Sequence, residues 1–260
     1  MEGVNVICLK YGTRYSEFYV NRLYLSVSKY LKRKHKFYCC TDDSRGLIDG
    51  IIPIHFPENP GLKKWPHVLV KLMLMQRNFG GISGPTLFLD IDLIVTGALD
   101  CFFDYQPGSF CMIHNWCNWR KRILGLRPRV GNSSVVRFDS GEKSERIFQI
   151  FRKEMYRAED KSIFNTEQAF MTYAASDLNW WPDEWVQSYK WNLRPTFPMN
   201  FLRKPRLPSN CRILVFHGRP NPEEAISDYR GTRIHHFTKA APWIEKYWND
   251  DEHDLDHEET

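Results

Sequence analysis

The stretch Pro85-Thr86-Leu87-Phe88-Leu89-Asp90-Ile91-Asp92-Leu93-Ile94-Val95 constrains this chain more than any other. An apolar, β-prone run set between Gly84 and Thr96-Gly97 reads as a strand buried on both faces. Two carboxylates near its end oppose that burial. A desolvated aspartate costs several kcal/mol unless it is paired or binds a cation. In open α/β sheets the carboxyl ends of the strands are where ligands sit. With a side-chain period of two, Asp90 and Asp92 point the same way and can reach one hard divalent ion. An isolated pair at this spacing is more often an N-cap or a turn residue, so the rest of the chain has to decide.

Elements alternate along the first half. Residues 4–9 form an apolar run before Tyr11-Gly12 and predict a first strand. Ser16 is placed to cap a helix over residues 17–32, with Val20, Tyr24, Val27 and Leu31 on one face. Strands are predicted over 36–41 and 51–54, a loop over 57–66, and a helix over 68–79 closed by Gly80-Gly81. A β-α-β-β-α-β order implies a mostly parallel α/β sheet. In the second half, strands are predicted over 109–114, 133–138 and 212–217, and helices over 142–156 and 166–175. Residues 178–191 hold four tryptophans. With no internal repeat and no linker, one domain is expected over residues 1–248. Its ligand half covers about 1–105 and its second half about 106–248.

Composition narrows the function. The 260 residues are 42% hydrophobic and 15% aromatic, enough for a substantial core. The last twelve residues carry seven acids and no Lys or Arg, and predict a disordered tail. Without that tail the net charge rises from +5 to +12, which suits an anionic partner such as nucleotide phosphates or lipid headgroups. Seven cysteines without a C-x-x-C pair predict reduced, buried thiols rather than zinc or disulfides. No stretch reaches the ~18 apolar residues of a membrane span. Met1-Glu2-Gly3-Val4-Asn5 has no signal-peptide pattern. A cytoplasmic protein is expected, with peripheral contact at the inner face of an anionic membrane as a further reading.

Six motifs in order then carry a resemblance. Val70-Lys71-Leu72, Leu87 to Asp92, and Gly97-Ala98-Leu99-Asp100-Cys101-Phe102-Phe103-Asp104 resemble the GT-A glycosyltransferases, especially glycogenin and the bacterial retaining galactosyltransferases. Asn132-Ser133-Ser134-Val135, Glu167-Gln168 and His217-Gly218 continue it, so that it spans residues 4–222. A narrower similarity, to uncharacterised bacterial glycosyltransferase-like proteins, covers Trp185 to Lys190 and His217-Gly218-Arg219-Pro220. The resemblance implies a GT-A, Rossmann-like fold in which Asp90, Asp92 and His217 hold Mn²⁺ (or Mg²⁺) on the diphosphate of a UDP- or GDP-sugar. Two carboxylates and an imidazole suit those ions better than zinc, and a Lewis acid stabilises a diphosphate leaving group.

By the same resemblance Lys71, Ile91, Asn132, Ser133 and Gly218 contact the donor, and Glu167 and Gln168 stand beside the reacting sugar carbon. The implied activity is sugar transfer, with retention, to a glycan, glycolipid or protein hydroxyl. The chain departs from the family in three places. Ser134 stands where glycine is usual. Arg219-Pro220-Asn221-Pro222 replaces a Lys-Pro-Trp context, leaving Arg219 as the phosphate clamp. Tyr11-Gly12-Thr13 replaces an Asn-x-x-Tyr nucleotide signature, so Tyr11 and Thr13 are expected at the donor and the base stays open.

Between two motifs lie Trp116, Trp119 and Arg120-Lys121-Arg122. Aromatic faces stack on sugars and basic clusters attract phosphate, so these residues, with Trp185, are acceptor candidates. No RNA-binding motif accompanies them, and nucleic acid is not expected. Two other classes compete. A haloacid-dehalogenase-like phosphohydrolase shares the first Asp but wants Thr where Ile94 stands. A non-catalytic sugar- or lipid-binding protein would not need Asp90, Asp92, Glu167 and His217 together.

Overall fold

Alternate residues of the first strand face opposite cores, which is why helices cover both sides of the sheet. The computed structural model describes residues 3–56, 67–117, 124–125, 129–155 and 166–249. In β1 (Val4–Lys10), Val4, Val6 and Cys8 pack beside Val20, Leu23 and Val27 of α1 (Glu17–Tyr30). Ile7 turns to the other side, among Leu72, Met73, Phe148 and Phe170. This is the period-two pattern of a two-sided parallel sheet.

The main sheet has seven strands in the order β3-β2-β1-β4-β7-β6-β8. Its strands β2 (His35–Thr41), β3 (Ile51–His55) and β4 (Gly84–Leu89) run parallel to β1, directly or through a neighbour. By contrast β7 (Gly131–Ser140) is antiparallel to both β4 and β6 (Phe110–His114), and β8 (Leu178–Trp180) is parallel to β6. The result is a mostly parallel α/β sheet flanked by helices in one domain, as expected. A second sheet joins β5 (Ile94–Val95), β9 (Val186–Ser188) and β10 (Ile213–Val215).

The structure departs from the sequence pattern in two places that shape the site. The helix expected over 68–79 is instead a 3₁₀ segment, His67–Met75, followed by Asn78 at φ +56° and the short turn Phe79–Gly81. Val70, Leu72, Met73, Leu74 and Met75 are all buried. Packing on several sides thus overrides the α-helical period. The strand expected over 85–95 ends at Leu89, turns through Asp90–Leu93 and resumes as β5 in the other sheet.

All seven cysteines are free; Cys8, Cys39, Cys40, Cys111 and Cys211 are buried, as expected of structural thiols, whereas Cys101 is half-buried and Cys117 is exposed. No described helix is long and apolar enough to cross a membrane.

Candidate active site

The carboxylates lie where the main sheet hands the chain to the second one. The backbone N–H of Asp90 donates to Ser134 O at 2.9 Å, which pins the turn to β7. That bond continues the regular β4–β7 register past Leu89↔Val135, and on its other edge, against β6, the strand β7 is bulged. Met112 pairs with Val136 but Ile113 pairs with Asn132, so three residues of β7 have no counterpart on β6. Bulges re-aim side chains and carbonyls. Here the displaced residues are Ser133, Ser134 and Val135.

Lys71 gathers this corner. Its Nζ donates to Asp90 Oδ1 at 2.8 Å, Ser133 O at 3.1 Å and Ser133 Oγ at 3.2 Å, and sits 4.5 Å above the Phe88 ring. Ser133 Oγ donates in turn to Glu167 Oε1 at 2.8 Å. Glu167 opens α3 (Glu167–Ala174), which follows α2 (Glu142–Met155); the Thr166 hydroxyl caps α3 by accepting from Ala169 N. The chain Asp90–Lys71–Ser133–Glu167 therefore links four segments separate in sequence. Gln168 is half-buried, and its side chain has no hydrogen bond among the described residues.

Asp92 is held separately. Tyr15 OH donates to Asp92 Oδ2 at 2.9 Å. Burial, then the charge of Asp90, push the Asp92 carboxyl up to about 6, against the Tyr15 hydrogen bond. Burial first and Asp92 second raise the Tyr15 phenol well above its usual range. His217 enters from β10. The register Ile213↔Val95 and Leu214↔Ile94 is antiparallel, so the chain beyond Val215 runs back toward the Asp90 turn. The imidazole packs against Trp116, with ring centroids 5.0 Å apart and planes tilted by 56°, and its Nε2 is buried without a hydrogen-bond partner. Burial depresses its pKa to about 4, against the opposing field of Asp90.

In front of the carboxylates is a cavity of about 660 Å³ lined by Lys10, Tyr11, Thr13, Arg14, Tyr15, Lys71, Asp90, Ile91, Asp92 and Glu167, among others. That volume is ample for a nucleotide-sized ligand. Three of these residues, Lys10, Arg14 and Tyr15, were not anticipated. Lys10 is buried at the end of β1, and Arg14 lies 5.0 Å over the Tyr15 ring. The one sequence signal was their place at the end of β1 and in the loop after it, at the carboxyl edge of the sheet.

Other expected residues stand apart from the cavity. Asn132 is buried, and its Oδ1 accepts from Ser134 N at 3.0 Å. Arg219 pairs at 2.6 Å with Glu224, and Gly218 is exposed at φ +72°. Trp116 is only 5% exposed, and the partly buried Trp185 packs on Phe102, Tyr105 and Trp181. Trp119 and Arg120-Lys121-Arg122 lie outside the described residues, as does nearly all of the acidic tail.

No protein-family model matches the sequence, and no curated protein does. Solved structures do. The galactosyltransferase LgtC, bound to donor and acceptor sugar analogues, superposes with a TM-score of 0.60 at 14% identity, over 95% of each chain. The fold is GT-A. An active-site mutant of LgtC, with glutamate in place of a glutamine, gives 0.58 at 15% identity over 84% of this chain and 89% of that one. GlyE of Streptococcus pneumoniae TIGR4, also a glycosyltransferase, gives 0.60 at 14% identity over 95% of this chain and 61% of its own. Within that GT-A frame the cavity occupies the carboxyl edge of β1 and β4.

The donor chemistry of the site can be tested for a cation. Asp90 and Asp92 are mutually repelling carboxylates, and His217 offers a buried, unpartnered imidazole nitrogen. That set fits a hard divalent ion. Among the described residues, however, no three His, Cys, Asp or Glu are gathered tightly enough to hold one. Lys71 presently supplies the positive charge at Asp90.

Proposed function

We propose that this protein is a metal-assisted glycosyltransferase that moves a sugar from a nucleoside diphosphate sugar to a hydroxyl acceptor. The observation that carries the reading is the pair Asp90 and Asp92 facing a nucleotide-sized cavity at the carboxyl edge of a GT-A sheet. Mn²⁺ or Mg²⁺ would be held by Asp90, Asp92 and His217, and would supply Lewis-acid stabilisation to the departing diphosphate. Lys71 has alternative acceptors in Ser133 O and Oγ, so Asp90 can be released without stranding the ammonium.

Each residue has a distinct task. Tyr15 fixes the orientation of Asp92. Lys71 neutralises phosphate, and Ser133 ties it to Glu167, which accepts a hydrogen bond from a hydroxyl of the donor sugar. Gln168, next to Glu167 at the start of the helix, is assigned to the anomeric carbon, where its amide would stabilise developing charge. With the leaving phosphate taking the acceptor's proton, transfer proceeds with retention. Tyr11, Thr13, Lys10 and Arg14 flank the nucleotide. An acceptor sugar, glycolipid or protein hydroxyl enters on the side of His217, in an inner-face, cytoplasmic setting.

The phosphohydrolase alternative gains no support, since Ile94 is buried in β5 where that chemistry needs a hydroxyl. The test is a panel of UDP- and GDP-sugars with Mn²⁺, scored for thermal stabilisation and for slow release of free sugar. At least one donor should do both. A panel that neither stabilises nor turns over, beside phosphate release from simple phosphoesters, would reverse the ranking.

A further inference from the structure

A second concavity lies in a part of the molecule that the proposed reaction does not use. It has a volume of about 1000 Å³ and is lined by Arg203, Lys204, Arg206 and Lys239, with Trp243 and Pro205 in its wall. It shares no lining residue with the cavity at Asp90 and Asp92. Among the described residues, no Asp or Glu lines it and none of its four cations has an ion-pair partner. Residues 189–248 contain eleven Lys or Arg and four Asp or Glu, so this segment alone carries +7, more than the +5 of the whole chain.

The frame around the cations is built rather than loose. Trp243 Nε1 donates to Pro205 O at 3.0 Å, tying the two walls together. Asn200 is fully buried and donates to Phe237 O at 2.9 Å, while Phe201 and Phe237 stack at 4.7 Å. Tyr229 and Thr238 exchange backbone hydrogen bonds of 2.9 and 2.8 Å just before Lys239. Asp228 accepts from Ala240 N at 2.7 Å through one carboxylate oxygen. Four like charges around one hollow repel each other, and a multiply charged oxyanion relieves that repulsion while accepting several charge-assisted hydrogen bonds.

We infer that this groove is a binding site for a phosphate group, separate from the donor cavity. The ligand is a phosphomonoester or phosphodiester, carried either by a soluble molecule or by a lipid headgroup. Arg203 and Arg206 supply planar donor forks, and Lys204 and Lys239 supply point charges.

The experiment compares the wild type with the triple variant Arg203→Ala/Lys204→Ala/Arg206→Ala. A control variant, Lys36→Ala/Arg152→Ala/Lys153→Ala, removes three exposed cations elsewhere. The probes are inorganic phosphate, followed by NMR, and phosphatidylcholine vesicles with and without phosphatidic acid, followed by sedimentation. The groove variant should bind about tenfold more weakly than wild type, with the control unchanged and both variants retaining the wild-type melting temperature. Phosphate binding without sedimentation assigns a soluble ligand, and sedimentation only with phosphatidic acid assigns a lipid. Equal weakening of groove and control variants, or no binding of either probe by wild type, overturns the proposal.

Discussion

Replacing Lys71 by methionine separates the roles of this residue, because the methionine keeps the buried stem and the contact with Phe88 but removes the charge. The wild-type ammonium makes three hydrogen bonds, of which only that to Asp90, at 2.8 Å, is to a carboxylate. A hydrogen bond to a charged group is worth about 1.5–3 kcal/mol. Both partners are largely buried, with side-chain exposures of 14% and 29%, yet Asp90 keeps some solvent contact. The lower end therefore applies. About 1.5 kcal/mol in a domain of this size lowers the melting temperature by about 3–6 °C.

That loss should appear in EDTA. In Mn²⁺ the ion replaces the missing charge at Asp90, so the metal-induced rise in melting temperature should be larger in Lys71→Met than in wild type. Nucleotide-sugar affinity should nevertheless fall, because a phosphate contact is gone. Thermal denaturation followed by circular dichroism, with and without Mn²⁺, reads both effects. An unchanged melting temperature in EDTA would show that the pair contributes nothing. An equal Mn²⁺ response in both proteins would refute the use of Asp90 as a shared site for Lys71 and a metal.

Other perturbations probe the remaining assignments. Tyr15→Phe deletes the hydrogen bond that orients Asp92 and should weaken donor binding about fivefold, the equivalent of ~1 kcal/mol, by calorimetry; unchanged affinity would reduce Tyr15 to packing. Trp116→Ala should cost about 3–5 kcal/mol in urea denaturation, as expected of a buried aromatic. A stable variant that loses only acceptor use would restore the acceptor role expected from the sequence. Retention at the anomeric carbon is expected when product is examined by NMR. A β-linked product from an α-linked donor would point instead to Glu167, Asp183 or Glu184 as a general base.

Much of the fold was legible because burial on both faces leaves a plain signature. The first strand, α1 and the run ending at Leu89 follow apolar patterns that local sequence carries. The 3₁₀ segment at His67–Met75 was not legible, since its apolar residues satisfy either helix type and the surrounding packing decides between them. Nor was the β7 bulge, which depends on pairing with β6 and yet aims Ser133 at Lys71 and Glu167. Asp90, Asp92 and Lys71 stood out as charges within apolar runs, which is costly without a function. Tyr15 did not, because a loop tyrosine becomes informative only once it is seen bonded to a residue 77 positions away. Nor did tryptophan composition reveal that Trp116 packs within the core and that Trp185 lies partly buried against it.

The central claim is that Asp90 and Asp92 serve a metal-bridged nucleotide-sugar. Calorimetric titration of the best donor from the nucleotide-sugar panel into wild type and Asp92→Asn, each in Mn²⁺ and in EDTA, tests it most directly. Donor should bind wild type only in Mn²⁺, and Asp92→Asn, folded as judged by its melting curve, should not bind in either condition. Metal-independent binding, or full binding by Asp92→Asn, would contradict the account.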